Sequence, residues 1–431
     1  MGRVKGPGFR VEATDRVKDD VARGLVPRGA DGGGGVRANG RATAFLKEEL
    51  LRLEDLGLRR RLRVLQEAPG PWASLDGRRV LLLCSNDYLD LASHPAVKAA
   101  AQEAIEVWGC GSGSARLISG TLEPHRALEE RLACFLGTES ALLFGSGYLA
   151  NLGAITALAG PGDAIYSDEL NHASIVDGCR LSGAGVYVYP HGNMEALEDM
   201  LRAAVPCRRR LIITEGLFSM EGDLAPLPDL ARLAVRYGAL LMVDDAHGIG
   251  VLGEGGRGSL EHLGLETGVH VLVGTLGKAL GSGGAFVAGS RDLVDFLVNR
   301  ARPFIFSTAL APALAAAALS ALDLVRTEPQ RRRDLLAGAS YLRDGLCGLG
   351  FQVLGADTAI LPVLIGDPAG AMEMSRRLLE AGVYAPGLRP PTVPPGACRL
   401  RCSVMSTHRK EDLDLALEAF KRVGRELGVI N

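Results

Sequence analysis

Short apolar runs recur between helical stretches through the middle of the chain: Ala141 to Phe144, Ala164 to Tyr166, Val186 to Tyr189, Leu211 to Thr214, Leu240 to Val243, Val271 to Val273 and Ala285 to Val287. Apolar runs this short, rich in β-branched residues, read as strands buried on both faces. Their alternation with helices predicts an α/β fold built on a mainly parallel, doubly wound sheet.

Upstream, Phe45, Leu50, Leu53, Leu56 and Leu58 alternate with arginine and glutamate, which predicts an amphipathic helix within Thr43 to Leu65 that packs on the main body. Downstream, Pro312 and Pro329 bracket a helix, and the alanine-rich Ala309 to Leu324 reads as buried. A helix near Arg333 to Leu349, strands at Phe351 to Leu354, Ile360 to Ile365 and Leu400 to Met405, and a last helix from Glu411 predict an α+β unit. The first forty residues differ: GADGGGGVRANG is glycine-rich, charged and without periodicity. The expected organisation is a disordered extension over 1–42, a helix and arm over 43–90, a large domain over 91–325 and an α+β domain over 326–431.

Composition narrows the partners. Lys+Arg 48 against Asp+Glu 50 gives a formal net charge of -2 over 431 residues, so neither nucleic acid nor an anionic membrane is implied. No apolar stretch is long enough to span a bilayer. The eight cysteines are scattered, with no CxxC pair and no metal-type grouping with the eight histidines, so reduced thiols in a cytoplasmic enzyme are expected.

Candidate chemistry gathers where the predicted strands end, which is where open α/β sheets bind ligands. Lys278 follows Val271 to Val273 within GTLGKALGSGGAF. A partly desolvated lysine there loses its preference for charge, and its neutral amine can attack a carbonyl; alone, it reads equally well as a solvated loop lysine. Asp244 and Asp245 follow LLMV, with His247 two residues on. A buried carboxylate needs a partner, which a protonated ring nitrogen or an arginine would supply. GSG at Gly145 to Gly147 permits a tight turn into a helix whose free N–H groups suit a phosphate. Glu215 and Ser219 follow another strand, and His172 a further one. An amine, an acid, a phosphate cradle and imidazoles are the parts that pyridoxal phosphate (PLP) chemistry needs.

At this point the chain resembles the α-oxoamine synthases, fold-type I PLP enzymes that join an amino acid to an acyl thioester with loss of carbon dioxide. The likeness runs from about Thr43 to the C-terminus and rests on NDYL at Asn86, GSGSARLISGT at Gly111, LFGSGYLAN, DELNHASIVDG, EGLFSMEGD, VDDAHGIGVLGEGGRG and GTLGKALGSGGAF. It implies a large domain with a mainly parallel seven-stranded sheet and a small α+β C-terminal domain. By this resemblance Lys278 is the Schiff-base lysine, Asp244 the pyridinium partner, His247 the group near the ring 3′-oxygen and His172 the residue stacked on the ring. Ser219 is a further cofactor contact, Gly147 and Tyr148 form the turn at the phosphate, and Thr275 supplies a hydroxyl. Thr308 matches a residue that reaches the neighbouring subunit's phosphate, which implies a homodimer with shared sites.

The segment GLRPPTVPPGACRLRCSVMSTH is similar to the biotin-pathway branch of the family, which joins L-alanine to a pimeloyl thioester carried on coenzyme A or a carrier protein. Arg401 matches the arginine that holds the amino-acid carboxylate, a bidentate task for a guanidinium. Arg389 and Arg59 are candidates for the pimeloyl end, with a solvated helix face the alternative for Arg59, and Asn86 is a further candidate substrate contact. Two features depart from the pattern. Asp90 stands where the family usually has glycine, and LRCS with the ending GRELGVI resembles bacterial serine palmitoyltransferases, leaving a long-chain donor as the second reading.

Overall fold

A computed structural model describes residues 43–431 apart from 69, 204, 205 and 266. The extension expected over 1–42 lies outside the described residues. The described residues fall into two units, the first ending at Leu62 and the second covering Arg63–Asn431.

In the first unit the predicted helix is shorter than Thr43 to Leu65 and covers Ala44–Asp55, with no buried residue. It stops because Gly57 adopts φ 64°, and the amides of Leu58 and Arg59 fold back onto the Leu53 carbonyl at 2.7 and 3.0 Å. Glycine reaches that left-handed conformation without steric cost.

The second unit opens with a hairpin that the apolar pattern did not announce, β1 (Trp72–Leu75) and β2 (Arg78–Leu82). Asp76 and Gly77 turn it with φ of 53° and 75°, the positive values that a two-residue hairpin loop requires.

All seven predicted strands form, and together they make one sheet. They are β3 (Ser140–Phe144), β4 (Ala164–Asp168), β5 (Gly185–Tyr189), β6 (Arg210–Glu215), β7 (Leu240–Asp244), β8 (Val271–Thr275) and β9 (Ala285–Gly289), in the order β3-β9-β8-β7-β6-β4-β5. β9 alone runs against its neighbours. Alternate residues pack to opposite sides: Leu142, Ile165, Ile213, Met242 and Val273 join one apolar cluster, while Leu143, Tyr166, Ile212, Val243 and Leu272 join the other. Each fully buried side chain of this kind contributes about 1.5–3 kcal/mol. Burial on both faces is why six of these strands read as continuous apolar runs; β5 is the exception, an edge strand on which Val186, Tyr187 and Val188 are exposed instead of buried as expected.

The C-terminal part forms β10 (Ile360–Gly366), β11 (Val383–Tyr384), β12 (Gly387–Leu388) and β13 (Cys398–Ser403), with β10-β13-β12 a small antiparallel sheet. β11 instead pairs in parallel with β2, joining the hairpin to this region. The predicted strand Phe351 to Leu354 is only an isolated bridge between Val353 and Val363. Leu354 donates to the Pro362 carbonyl at 2.8 Å, but proline has no N–H to return the bond, and Gly355 at φ 82° then turns the chain away.

Candidate active site

Parallel strands bring their carboxyl ends to one edge, so Asp168, Glu215, Asp244 and Thr275 all close strands on the same side of the sheet. Successive strand residues face opposite ways, and this separates the two neighbouring aspartates. Asp244 accepts from Asn151 Nδ2 at 2.6 Å and from the Ala246 amide at 3.1 Å. Asp245 turns to Ser259, whose amide donates to it at 2.7 Å, and braces the glycine-rich loop. Burial pushes the Asp245 carboxyl up to about 7 despite those donors.

Lys278 Nζ lies 2.8 Å from His247 Nε2. The other ring nitrogen of His247 is 2.7 Å from the hydroxyl of Tyr88, which is fully buried. Arg401 on β13 closes the line: Nη2 donates to Asn86 Oδ1 at 3.1 Å and to the Tyr88 hydroxyl at 3.4 Å, and Nε donates to the Ser219 carbonyl at 2.6 Å. Burial lowers the Lys278 pKa, opposed by the carboxylates of Asp244 and Glu215 and reinforced by Arg401. Burial, with positive charge from Lys278 and Arg401, holds His247 well below the usual histidine range. An amine with a depressed pKa beside a neutral imidazole is suited to accepting and returning a proton.

His172 caps the helix Ala173–Ser182 and stays open to solvent over part of its surface. Its Nδ1 is 2.8 Å from Ser174 Oγ. Protein crowding lowers its pKa, Asp244 opposes that shift and Lys278 adds to it. Glu215 is buried beneath this layer, and burial, with the nearby Asp244 charge, pushes its carboxyl well above the usual range.

The turn after β3 leads into the helix Gly147–Leu158, with Ser146 as its cap accepting from the Leu149 amide at 3.3 Å. A methyl placed on Gly147 would meet no atom within 4 Å, so there is open space beside the first turn of the helix. Tyr148 bonds Asp177 on the facing helix. Thr275 Oγ1 donates to the Gly284 carbonyl at 3.2 Å. Helix N–H groups suit a phosphate, the Asp244 carboxylate suits a protonated ring nitrogen, and Lys278 supplies the amine for an aldehyde, so the donor set fits PLP.

Lys278, His247, Asn86, Ser219 and Arg401 are thus linked through hydrogen bonds, with Asp244 and His172 forming the adjoining group. Gly147, Tyr148 and Thr275 make separate contacts, and Thr308, Arg389 and Arg59 also stand outside these networks. Thr308 is exposed and bridged to Ala115, Arg389 is half-buried, and Arg59 pairs with Glu54 at 2.8 Å inside the first unit. Tyr88, Asn151 and Ser174 were not anticipated. For Asn151 the signal was present, a lone amide in the apolar run LANLGAITAL. A cavity of about 940 Å³ opens at the opposite edge of the sheet, near Leu240, His270 and Val271, and holds none of the candidate residues.

Residues 78–420 match the family described as Aminotransferase class I and II. The chain belongs to that family. One relative, the 8-amino-7-oxononanoate synthase of Geobacter sulfurreducens, is 55% identical over 390 residues, which cover 90% of this chain and 100% of the relative. A solved serine palmitoyltransferase from S. paucimobilis, with PLP and myriocin bound, is similar with a TM-score of 0.86 at 34% identity, covering 91% of this chain and 100% of that one. The 8-amino-7-oxononanoate synthase of Francisella tularensis is similar with a TM-score of 0.70 at 28% identity, covering 81% and 98%. Within the family the chain is an α-oxoamine synthase with the fold-type I architecture.

Proposed function

We propose that this chain is a PLP-dependent acyltransferase that condenses L-alanine with a pimeloyl thioester to give 8-amino-7-oxononanoate, carbon dioxide and free thiol, a step of biotin biosynthesis. The 55% identity to the Geobacter sulfurreducens enzyme supports the reaction. The observation in the site that carries it is the line Lys278, His247, Tyr88, Arg401, which sets a guanidinium for a carboxylate close to a reactive amine. The reading includes a homodimer, a cytoplasmic location, and coenzyme A or a carrier protein as the thiol. It also includes the division into 43–90, 91–325 and 326–431.

In this reading Lys278, Gly147, Tyr148, His172, Ser219, Asp244, His247 and Thr275 hold the cofactor, and Thr308 serves the other subunit. When bound, PLP supplies an electron sink for charge left at the amino acid's Cα. Arg401 binds the alanine carboxylate, with its orientation set by Ser219 and Asn86. Lys278 takes the Cα proton, helped by its lowered pKa, and His247 next to it passes protons on. Asp244 would hold the protonated ring nitrogen of the bound cofactor, its own carboxylate steadied by Asn151 and the Ala246 amide. A Cα–C bond forms as the thioester C–S bond breaks. The alanine carboxylate then leaves as carbon dioxide and a proton returns to Cα. Arg389 and Arg59 are the proposed contacts of the pimeloyl end.

A second reading, serine with a palmitoyl thioester, is favoured by the higher structural similarity to serine palmitoyltransferase. A matrix of alanine, serine and glycine against acetyl, pimeloyl and palmitoyl thioesters, read by thiol release, separates the two. Highest kcat/KM for alanine with the pimeloyl donor is expected. Preference for serine with palmitoyl overturns the proposal.

A further inference from the structure

Asn151 lies one turn inside the helix Gly147–Leu158 and is 1% exposed, the one amide in an otherwise apolar stretch. Its Nδ2 is 2.6 Å from Asp244 Oδ2 and 2.9 Å from Ser174 Oγ. Ser174 is fully buried, and its Oγ is 2.8 Å from His172 Nδ1. Four side chains from β7 and two helices therefore form one hydrogen-bonded line from the carboxylate to the imidazole.

Counting donors along this line fixes where the protons are. A carboxylate oxygen accepts, so the amide must turn Nδ2 toward Asp244; the reverse orientation would set two acceptors against each other. Both N–H bonds of Asn151 are then committed, one to Asp244 and one to Ser174. Its Oδ1 is left buried without a partner, an arrangement that costs about 1–3 kcal/mol. Ser174 Oγ, already accepting from Asn151, is free to donate its own proton to His172 Nδ1. The Ser174 amide also points at that nitrogen, at 3.3 Å. The amide N–H can only donate, so the Nδ1 it points at is set to accept, and the neutral ring then carries its proton on Nε2.

We propose that Asn151 and Ser174 are positioning residues that order the protons between Asp244 and His172, holding His172 neutral in the Nε2–H tautomer. The charged groups acting on the ring are Asp244, which favours its protonation, and Lys278, which opposes it. The Ser174 amide favours the uncharged form, because protonation would set an Nδ1–H against an N–H that can only donate. His172 is thereby left with one N–H, at Nε2, for whatever lies against it. The kinetic consequence rests on the function proposed above, but the tautomer does not.

The test uses holoenzyme labelled with ring-15N histidine, with the His172 signals assigned by their loss in His172→Gln. Between about pH 6 and 8 the wild-type ring should show a bare Nδ1 and a protonated Nε2. Ser174→Ala should mix the tautomers and raise the pH at which the ring titrates, and Ser174→Thr should restore the wild-type pattern. In Ser174→Ala, α-proton exchange of alanine in deuterated buffer should slow about tenfold with little change in KM. A wild-type proton on Nδ1, a charged ring at neutral pH, or an unchanged ring spectrum in folded Ser174→Ala overturns the proposal. If Ser174→Ala does not fold, the wild-type tautomer decides the matter. Absence of thiol release with alanine and the pimeloyl donor would sink the proposed function while leaving the ring measurement intact.

Discussion

Lys278 Nζ and His247 Nε2 lie 2.8 Å apart, and burial lowers the proton affinity of both. Two basic groups in contact cannot both be charged at low cost, so the pair holds fewer protons than its members would in water. This leaves an unprotonated nitrogen at the carboxyl edge of the sheet.

Replacing Lys278 by alanine removes that amine. Turnover, followed as thiol release, should fall by more than about 10³-fold, while an absorbance scan still shows bound cofactor. Unimpaired turnover would contradict the role.

Tyr88→Phe deletes the hydroxyl that joins His247 Nδ1 to Arg401. Urea unfolding should show a loss of about 1–2 kcal/mol, and KM for alanine should rise roughly fivefold as Arg401 loses a neighbour. An unchanged KM would mean that Arg401 is placed by Ser219 and Asn86 alone.

His191 is clasped between Asp168 and Asp223 at 2.9 Å each, with the Phe218 ring 4.4 Å away. Burial opposes charge on the ring, but the two carboxylates outweigh it and push its pKa up to about 10. The unfolded value is about 6.5, so the stabilisation is fully present below that pH and is lost as pH rises through about 10. Unfolding of wild type and His191→Gln across this range should show the largest difference near pH 6 and a shrinking one toward pH 10. A constant difference would show that His191 is uncharged in the fold.

Asp90 has φ 54°, a conformation that costs a non-glycine residue roughly 1–2 kcal/mol. It also accepts from Thr407 Oγ1 at 2.9 Å, which returns part of that cost. Asp90→Gly relieves the first and loses the second, so stability should change by less than about 1 kcal/mol, measured by urea unfolding. A large loss would show that the Thr407 contact holds the turn.

Much of the sheet was legible because all its strands but β5 are buried on both faces and leave apolar runs that need no knowledge of partners. Lys278, Asp244 and His247 were legible because they lie within five residues after those runs. The β1–β2 hairpin was not, since its residues lie partly exposed and its place is set by pairing with β11, some 300 positions along the chain. Phe351 to Leu354 has strand composition, yet Pro362 opposite it denies the return hydrogen bond.

Sequence alone determined the α/β class, the seven central strands and the chemistry at their ends, because burial and strand termini are local properties of the chain. Only the tertiary structure decided that Tyr88 joins His247 to Arg401, that Asn151 and Ser174 tie Asp244 to His172, and that Asp245 braces a loop instead. These are hydrogen bonds between residues distant in sequence, and their direction depends on which donor meets which acceptor once the strands and helices have packed.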